Sequence, residues 1–87
     1  MSYPKNCLLY FSTSNCPVCM KLDDNFETCD IELEIFKVTP ETFPKIMEEF
    51  SIFAVPTVIL IKDGKEIDRF TGARSSKQIQ KWVKQYI

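Results

Sequence analysis

Cys16 and Cys19, two thiols three positions apart, are the residues of this chain best suited to chemistry. The tetrapeptide Cys16-Pro17-Val18-Cys19 follows an apolar run, Leu8-Leu9-Tyr10-Phe11, and a polar turn, Ser12-Thr13-Ser14-Asn15. The run reads as a buried strand and the stretch from Pro17 as a helix, so Cys16 stands where strand gives way to helix. Amides at a helix start lack intrahelical partners and carry the positive end of the helix dipole. A sulfur held there is favoured as thiolate, and the thiolate is the nucleophile of disulfide exchange. Cys19, nearly one helical turn on, is placed to attack a mixed disulfide formed on Cys16. The pair reads as a redox dithiol, with Cys16 the nucleophile and Cys19 the resolving thiol. Pro17 and Val18 tune it by setting the helix start while bringing neither donor nor charge.

Two further cysteines, Cys7 and Cys29, fall on an apolar strand and on an apolar helix stripe, where an unpaired cysteine usually packs as core. A regulatory disulfide or a glutathionylation site is their other reading. The chain has no histidine, which excludes Cys/His zinc sites and histidine acid–base catalysis. A metal module built from all four cysteines remains arithmetically open, although only one pair is closely spaced.

The elements that must position the dithiol fit in 87 residues, enough for a single domain, residues 1–87, with a real core. An apolar content of 45% with 13% aromatics excludes disorder. A formal charge of −1 gives no electrostatic case for nucleic acid or an anionic membrane as partner. No apolar run approaches the roughly 18–20 residues of a membrane span. Residues 1–6 lack the apolar stretch of a signal peptide, so a cytoplasmic location is expected and a disulfide scaffold is not.

Short elements alternate along the chain, without repeats or linkers. Residues 7–12 form the first strand, nearly continuous in apolar character, as in a strand covered on both faces. Pro17 suits the first helical position, and Cys19, Leu22, Phe26 and Cys29 give that helix one apolar face, ending near Cys29. Asp23, Asp24 and Glu27 form a modest acidic face that reads as solvated. The second part of 31–38 is a strand. A helix carrying Phe43, Ile46, Met47 and Phe50 follows, starting near Thr42 because Pro44 must fall in its first turn. Residues 57–61 and 66–71 are strands joined by an Asp63-Gly64 hairpin. Ser75 with Gln78 forms a capping box opening the last helix, whose apolar stripe is Ile79, Trp82, Val83, Tyr86 and Ile87, with Lys77, Lys81 and Lys84 on its wet side. Trp82 reads as core. The order β-α-β-α-β-β-α, with a right-handed parallel crossover first and a hairpin last, predicts an α/β fold with a four-stranded mixed sheet flanked by three helices.

This order, with CxxC after the first strand, resembles the thioredoxin superfamily over essentially the whole chain. Cys16-Pro17-Val18-Cys19, Val55-Pro56-Thr57, Lys62-Asp63-Gly64-Lys65 and Phe70-Thr71-Gly72-Ala73 carry the resemblance. The last third looks like thioredoxin: Gly72-Ala73-Arg74 stands where glutaredoxins usually show Gly-Gly and an acidic residue that help hold glutathione. Proline directly after the first cysteine instead resembles glutaredoxins, as does the lack of the N-terminal strand and helix of full thioredoxins. Tyr10 stands where thioredoxins carry a buried aspartate with a proton-handling role, and Asn15 where they usually carry Trp.

The resemblance implies a minimal thioredoxin fold, a cis bond before Pro56, and a substrate-binding edge made by Val55, Pro56, Thr57 and Gly72. A cis Pro56 would aim the Val55 backbone at an incoming chain and keep a residue without a donor beside the sulfurs. The expected function is thiol–disulfide oxidoreduction, cycling between dithiol and disulfide at Cys16/Cys19 and reducing protein disulfides as a small thioredoxin. The partners implied are disulfide-containing proteins and an electron donor, either a thioredoxin reductase-type enzyme or glutathione. No cofactor or metal is called for, and a monomer is expected. A glutathione-coupled glutaredoxin is the alternative within the enzyme class. The four-cysteine metal module and a binding domain whose chemistry has lapsed are the alternatives outside it.

Overall fold

The computed structural model describes residues 3–87, so the first two residues of the stretch 1–6 lie outside it. The elements are β1 (Cys7–Phe11), α1 (Pro17–Glu27), β2 (Glu34–Val38), α2 (Pro44–Glu49), β3 (Thr57–Lys62), β4 (Lys65–Thr71) and α3 (Ser76–Lys84). Their order is the predicted one. The four strands form one sheet in the order β2-β1-β3-β4. β1 runs parallel to β2, with Tyr10 opposite Lys37, and antiparallel to β3, with Phe11 opposite Thr57. β3 and β4 are antiparallel, with Thr57 opposite Thr71 and a register shift at Leu60/Ile61.

All five residues of β1 are buried, which is what an unbroken apolar strand requires at the centre of a sheet covered on both faces. Because side chains alternate along a strand, the sheet divides the core in two. Leu8, Tyr10, Val58, Leu60 and Phe70 face α1 and α3, where Leu22, Ile79, Trp82 and Val83 meet them. Cys7, Leu9, Phe11, Val38, Ile59 and Ile61 face the other way, against Ile46 of α2 and the surrounding Phe36, Phe43, Met47, Phe50 and Ile52. Each fully buried aliphatic or aromatic side chain contributes about 1.5–3 kcal/mol.

The turns obey their sequence signals. Asp63 and Gly64 have φ of 53° and 80°, the two positive values that a two-residue hairpin matched to strand twist needs. Both amides are held by the chain's start: Gly64 donates to the Lys5 carbonyl and Asp63 to Asn6 Oδ1. Ser75 caps α3 in the reciprocal box with Gln78, and Lys81 and Lys84 lie in its last turn, favourable for its dipole.

β1, β3 and β4 each differ from expectation by one residue at one end, and the helices depart from it at three points. α1 stops at Glu27, because the Cys29 amide turns back to the Phe26 carbonyl and places Cys29 beyond the helix. α2 starts at Pro44 rather than near Thr42. The hydroxyls of Thr39 and Thr42 bond each other's backbone amides and close residues 39–42 into a turn, the local competition by which Thr delays a helix. Ile87 is 62% exposed and follows α3, so it does not extend the apolar stripe.

Candidate active site

The register places three loops at one end of the sheet. Phe11, the last residue of β1, is opposite Thr57, the first of β3, and Thr57 is opposite Thr71, the last of β4. The segment carrying Cys16, the segment entering β3 and the turn leaving β4 therefore meet at that end. One hydrogen bond joins the last two of these segments, and a second braces the segment entering β3. Gly72, with φ of 80°, donates its amide to the Pro56 carbonyl at 2.9 Å, and the Thr57 hydroxyl donates to the Ala54 carbonyl at 2.6 Å. The Val55–Pro56 peptide bond is cis. Pro56 is buried and Val55 half-buried. Among the described residues no hydrogen bond engages the Val55 backbone, which lies between these two anchored carbonyls.

Cys16 is the N-cap of α1. Asn15 takes a positive φ of 57°, a conformation that short polar Asn tolerates better than most residues, and turns the chain into the helix. Cys16 itself is extended, and its Sγ accepts the Cys19 amide at 3.1 Å. Pro17 occupies the first turn, where its lacking amide costs nothing. No acidic side chain stands in that turn to oppose the dipole. Cys16 and Cys19 are joined as a disulfide with Cα atoms 5.2 Å apart. Cys16 is half-buried, whereas Cys19 is only 2% exposed. One sulfur is reachable and donor-stabilised; the other is held beneath it.

Around the motif, Val18 and Met20 are 47% and 64% exposed, and Phe53, in the segment that leads to Pro56, is 94% exposed. These are large apolar groups left in water on the segments that flank the disulfide.

A polar cluster that sequence reading missed lies under the first turn of α1. The buried Tyr10 donates its hydroxyl to the Cys19 carbonyl at 2.8 Å. Lys37, its partner across the parallel β1–β2 pair, lies 5.6 Å from the Tyr10 ring centre and bonds Asp23 Oδ1 at 3.4 Å. Burial, followed by the nearby Asp23 carboxylate, holds the Tyr10 hydroxyl far above the usual phenol range. It remains a neutral donor at any physiological pH. Asp23, expected on a merely solvated face, is thus paired. The signal was present as a basic residue opposite Tyr10, but it becomes visible only once the strand register is known.

Cys7 and Cys29 do not join the dithiol. Cys7 is fully buried on the α2 side of the sheet and Cys29 packs on the opposite side. Their sulfurs point to the Pro4 and Ser76 carbonyls. Burial, with Glu34 adding to it, pushes the Cys7 thiol up to about 11, and burial together with Asp30 raises Cys29. Eight residues of helix, 20–27, roughly 12 Å of rise, separate Cys29 from the motif. The four-cysteine metal alternative therefore does not assemble, and among the described residues no three cysteine or acidic side chains converge as a ligand set. Trp82 is core, as expected, and its Nε1 donates to Asp68.

The family profile described as Thioredoxin matches residues 2–85. The chain belongs to the thioredoxin family. A thioredoxin of Chlamydia trachomatis is 32% identical over 82 residues, covering 91% of this chain and 80% of the relative. The chloroplastic thioredoxin Y1 of Arabidopsis thaliana is 40% identical over 58 residues, 67% of this chain but 34% of that protein, so this chain aligns with about a third of its length. A solved thioredoxin-2 of a malaria parasite shares the fold with a TM-score of 0.85 at 22% identity, covering 97% of this chain and 87% of the other. The architecture is the thioredoxin fold, with its mixed sheet and three helices. Family and disulfide together make the protein a thiol–disulfide oxidoreductase acting on protein disulfides. Membership implies disulfide-bearing substrates and reductase-type partners in general. Among the described residues no helix is long and apolar enough to cross a membrane.

Proposed function

We propose that this thioredoxin-family chain works as a reductant of protein disulfides, with Cys16 as nucleophile and Cys19 as resolving thiol. The observation that carries the reading is the asymmetry of the pair: Cys16 Sγ caps α1, accepts the Cys19 amide and is half-open, while Cys19 is buried. The Cys16 thiolate attacks one sulfur of a substrate disulfide, the other substrate sulfur leaves as a thiolate, and a mixed disulfide forms. The Cys19 sulfur then attacks Cys16 Sγ, releases the second substrate thiol and closes the Cys16–Cys19 bond. Two electrons pass from the protein to the substrate.

Val55, Pro56, Thr57 and Gly72 form the substrate edge of this reading. The Ala54 and Pro56 carbonyls are already occupied by Thr57 and Gly72, so the unengaged Val55 backbone is what remains to pair with an extended substrate strand. Exposed Val18, Met20 and Phe53 favour substrates whose disulfide lies among apolar side chains. Two free thiols, Cys7 and Cys29, suit a reducing cytoplasmic compartment.

Trapping tests the roles. Reduced Cys19→Ser is expected to accumulate a stable mixed disulfide with a disulfide-bearing protein such as insulin, and reduced Cys16→Ser to accumulate none. Equal trapping by both variants would overturn the assignment. Turnover of the oxidised protein with a thioredoxin reductase, compared with glutathione plus glutathione reductase, identifies the electron donor. Pro17 directly after Cys16 is the one local feature that favours the glutathione route, and faster turnover with glutathione would establish it.

A further inference from the structure

The resolving step leaves one proton unaccounted for. Before Cys19 attacks, its thiol must lose a proton, and Cys19 is 2% exposed in a site without histidine. Water has poor access to it, so the proton needs a fixed acceptor nearby. This question rests on Cys19 being the resolving thiol.

Few charged groups face the inner side of the first turn. β1 contributes Tyr10, which bonds the Cys19 carbonyl at 2.8 Å. β2 contributes Lys37, opposite Tyr10 in the parallel register. α1 itself contributes Cys16 and Asp23. α3 and the residue Arg74 before it meet α1 and its C-terminal end through the Arg74 carbonyl, Ser76 and Gln80, bonded to Asn25, Thr28 and the Asp30 amide, away from the first turn. The Arg74 guanidinium lies over Phe70 at 4.3 Å. Among the described residues, the carboxylate that these contacts bring to the inner face of the turn is that of Asp23.

Asp23 follows Cys19 by four residues, so the two side chains share one face of α1, a turn apart. Its carboxylate is held by Lys37 at 3.4 Å, and it acts on the Tyr10 hydroxyl, which itself holds the Cys19 carbonyl. Its side chain is 39% exposed, so it communicates with solvent while Cys19 does not. Tyr10 cannot be the acceptor, because it stays protonated and its hydrogen is committed to a carbonyl.

We propose that Asp23 receives the Cys19 proton during resolution, with Tyr10 and Lys37 as positioning residues. Tyr10 fixes the backbone of Cys19 against β1, and Lys37 fixes the carboxylate. As the Cys19 sulfur bonds to Cys16 Sγ, the bond from Cys16 to the substrate sulfur breaks. The proton moves from Cys19 to Asp23 and on to the departing thiolate or to solvent. The products are the Cys16–Cys19 disulfide, a substrate thiol and a regenerated Asp23 carboxylate.

Stopped-flow reaction of the fully reduced chain with 5,5′-dithiobis(2-nitrobenzoate) separates the two steps. The first thionitrobenzoate released reports attack by Cys16, and the second reports resolution by Cys19. Asp23→Asn is expected to slow the second phase about tenfold or more at neutral pH, a modest share of what a positioned base contributes, and to flatten its pH dependence. Asp23→Glu is expected to restore part of both. Asp24→Asn removes the same charge from the exposed neighbouring position and is expected to leave the second phase as it was. Tyr10→Phe and Lys37→Gln are expected to shift the pH midpoint of the second phase while the first phase keeps its rate. A second phase in Asp23→Asn within twofold of the parent across the pH range overturns the proposal, as does equal slowing by Asp24→Asn. Loss of biphasic release in the parent protein would instead overturn the nucleophile and resolver roles on which it rests.

Discussion

The Gly72 amide donates to the Pro56 carbonyl at 2.9 Å, making the turn after β4 and the segment before β3 a single braced edge. Pro56 can give no amide of its own, so the carbonyl is its backbone contribution to this brace. The neighbouring Thr57 hydroxyl pins the Ala54 carbonyl on the other side. What is left between them is the backbone of Val55.

Gly72 holds this brace at φ of 80°, and a Cβ built there would meet nothing within 4 Å. The cost of replacement is therefore conformational and not steric. Gly72→Ala is expected to destabilise the protein by about 1–2 kcal/mol, and Gly72→Asn by less, since Asn visits that region more readily. Urea denaturation at unchanged slope measures both. Equal stability of Gly72→Ala and the parent would show that the φ is not enforced by the fold.

Asp68 accepts hydrogen bonds from Trp82 Nε1, the Tyr86 hydroxyl and the Arg69 amide. These bonds, that from Trp82 foremost, hold its carboxyl below the ordinary 3.8. A carboxylate with a folded pKa below its unfolded value adds stability that is full above the unfolded pKa. That stability drains away as pH falls through the folded pKa. Melting temperatures measured from pH 6 down to pH 2 are expected to fall steeply below about pH 4 for the parent and less steeply for Asp68→Asn. Parallel curves would show that the three bonds carry no net ionisation preference.

Cys7 lies fully buried with its thiol pushed up to about 11, and Cys29 is partly buried with a raised thiol. Both are therefore poor nucleophiles at neutral pH, whereas Cys16 combines access with a helix start. Iodoacetamide added to the reduced native protein is expected to label Cys16 first, Cys29 slowly and Cys7 only after unfolding. Peptide mass spectrometry reads the order directly. Native-state labelling of Cys7 as fast as Cys16 would contradict it.

Phe53 is 94% exposed, yet its flanks are fixed: the Ile52 amide bonds the Met47 carbonyl, and the Ala54 carbonyl bonds Thr57. An aromatic ring held out by an anchored backbone contributes little to folding. Phe53→Ala is expected to change stability by no more than about 0.5 kcal/mol. It is also expected to raise KM for a protein disulfide about tenfold, the equivalent of losing roughly half the burial of such a side chain. An unchanged KM would remove Phe53 from the substrate surface.

Elements whose cause is local could be read from the chain alone. The Asp63-Gly64 turn needs two positive φ values, the Ser75/Gln78 box is contained in four residues, and Cys16-Pro17 marks a helix start; all three lie in the structure where the residues placed them. The start of α2 was misjudged because Thr39 and Thr42 bond each other's backbone, a choice between two local structures close in energy. The cluster of Tyr10, Lys37 and Asp23 was not legible without the strand register. Its members come from three elements and meet only through the parallel register of β1 and β2. Asp68 was equally silent, since nothing in its neighbours announces an indole donor arriving from α3 and a hydroxyl donor from Tyr86 just beyond it.

The division of the core by the sheet has a final consequence for how this chain meets an oxidant. Four thiols in one chain can in general misconnect in several ways. Here Cys7 is walled off from Cys29 by the sheet itself, and both are kept from the motif, Cys29 by the length of α1. Within one folded chain, oxidation has a single intramolecular product, so the protein takes up or gives out one electron pair without scrambling. It can be driven through repeated cycles and return each time to the same covalent structure.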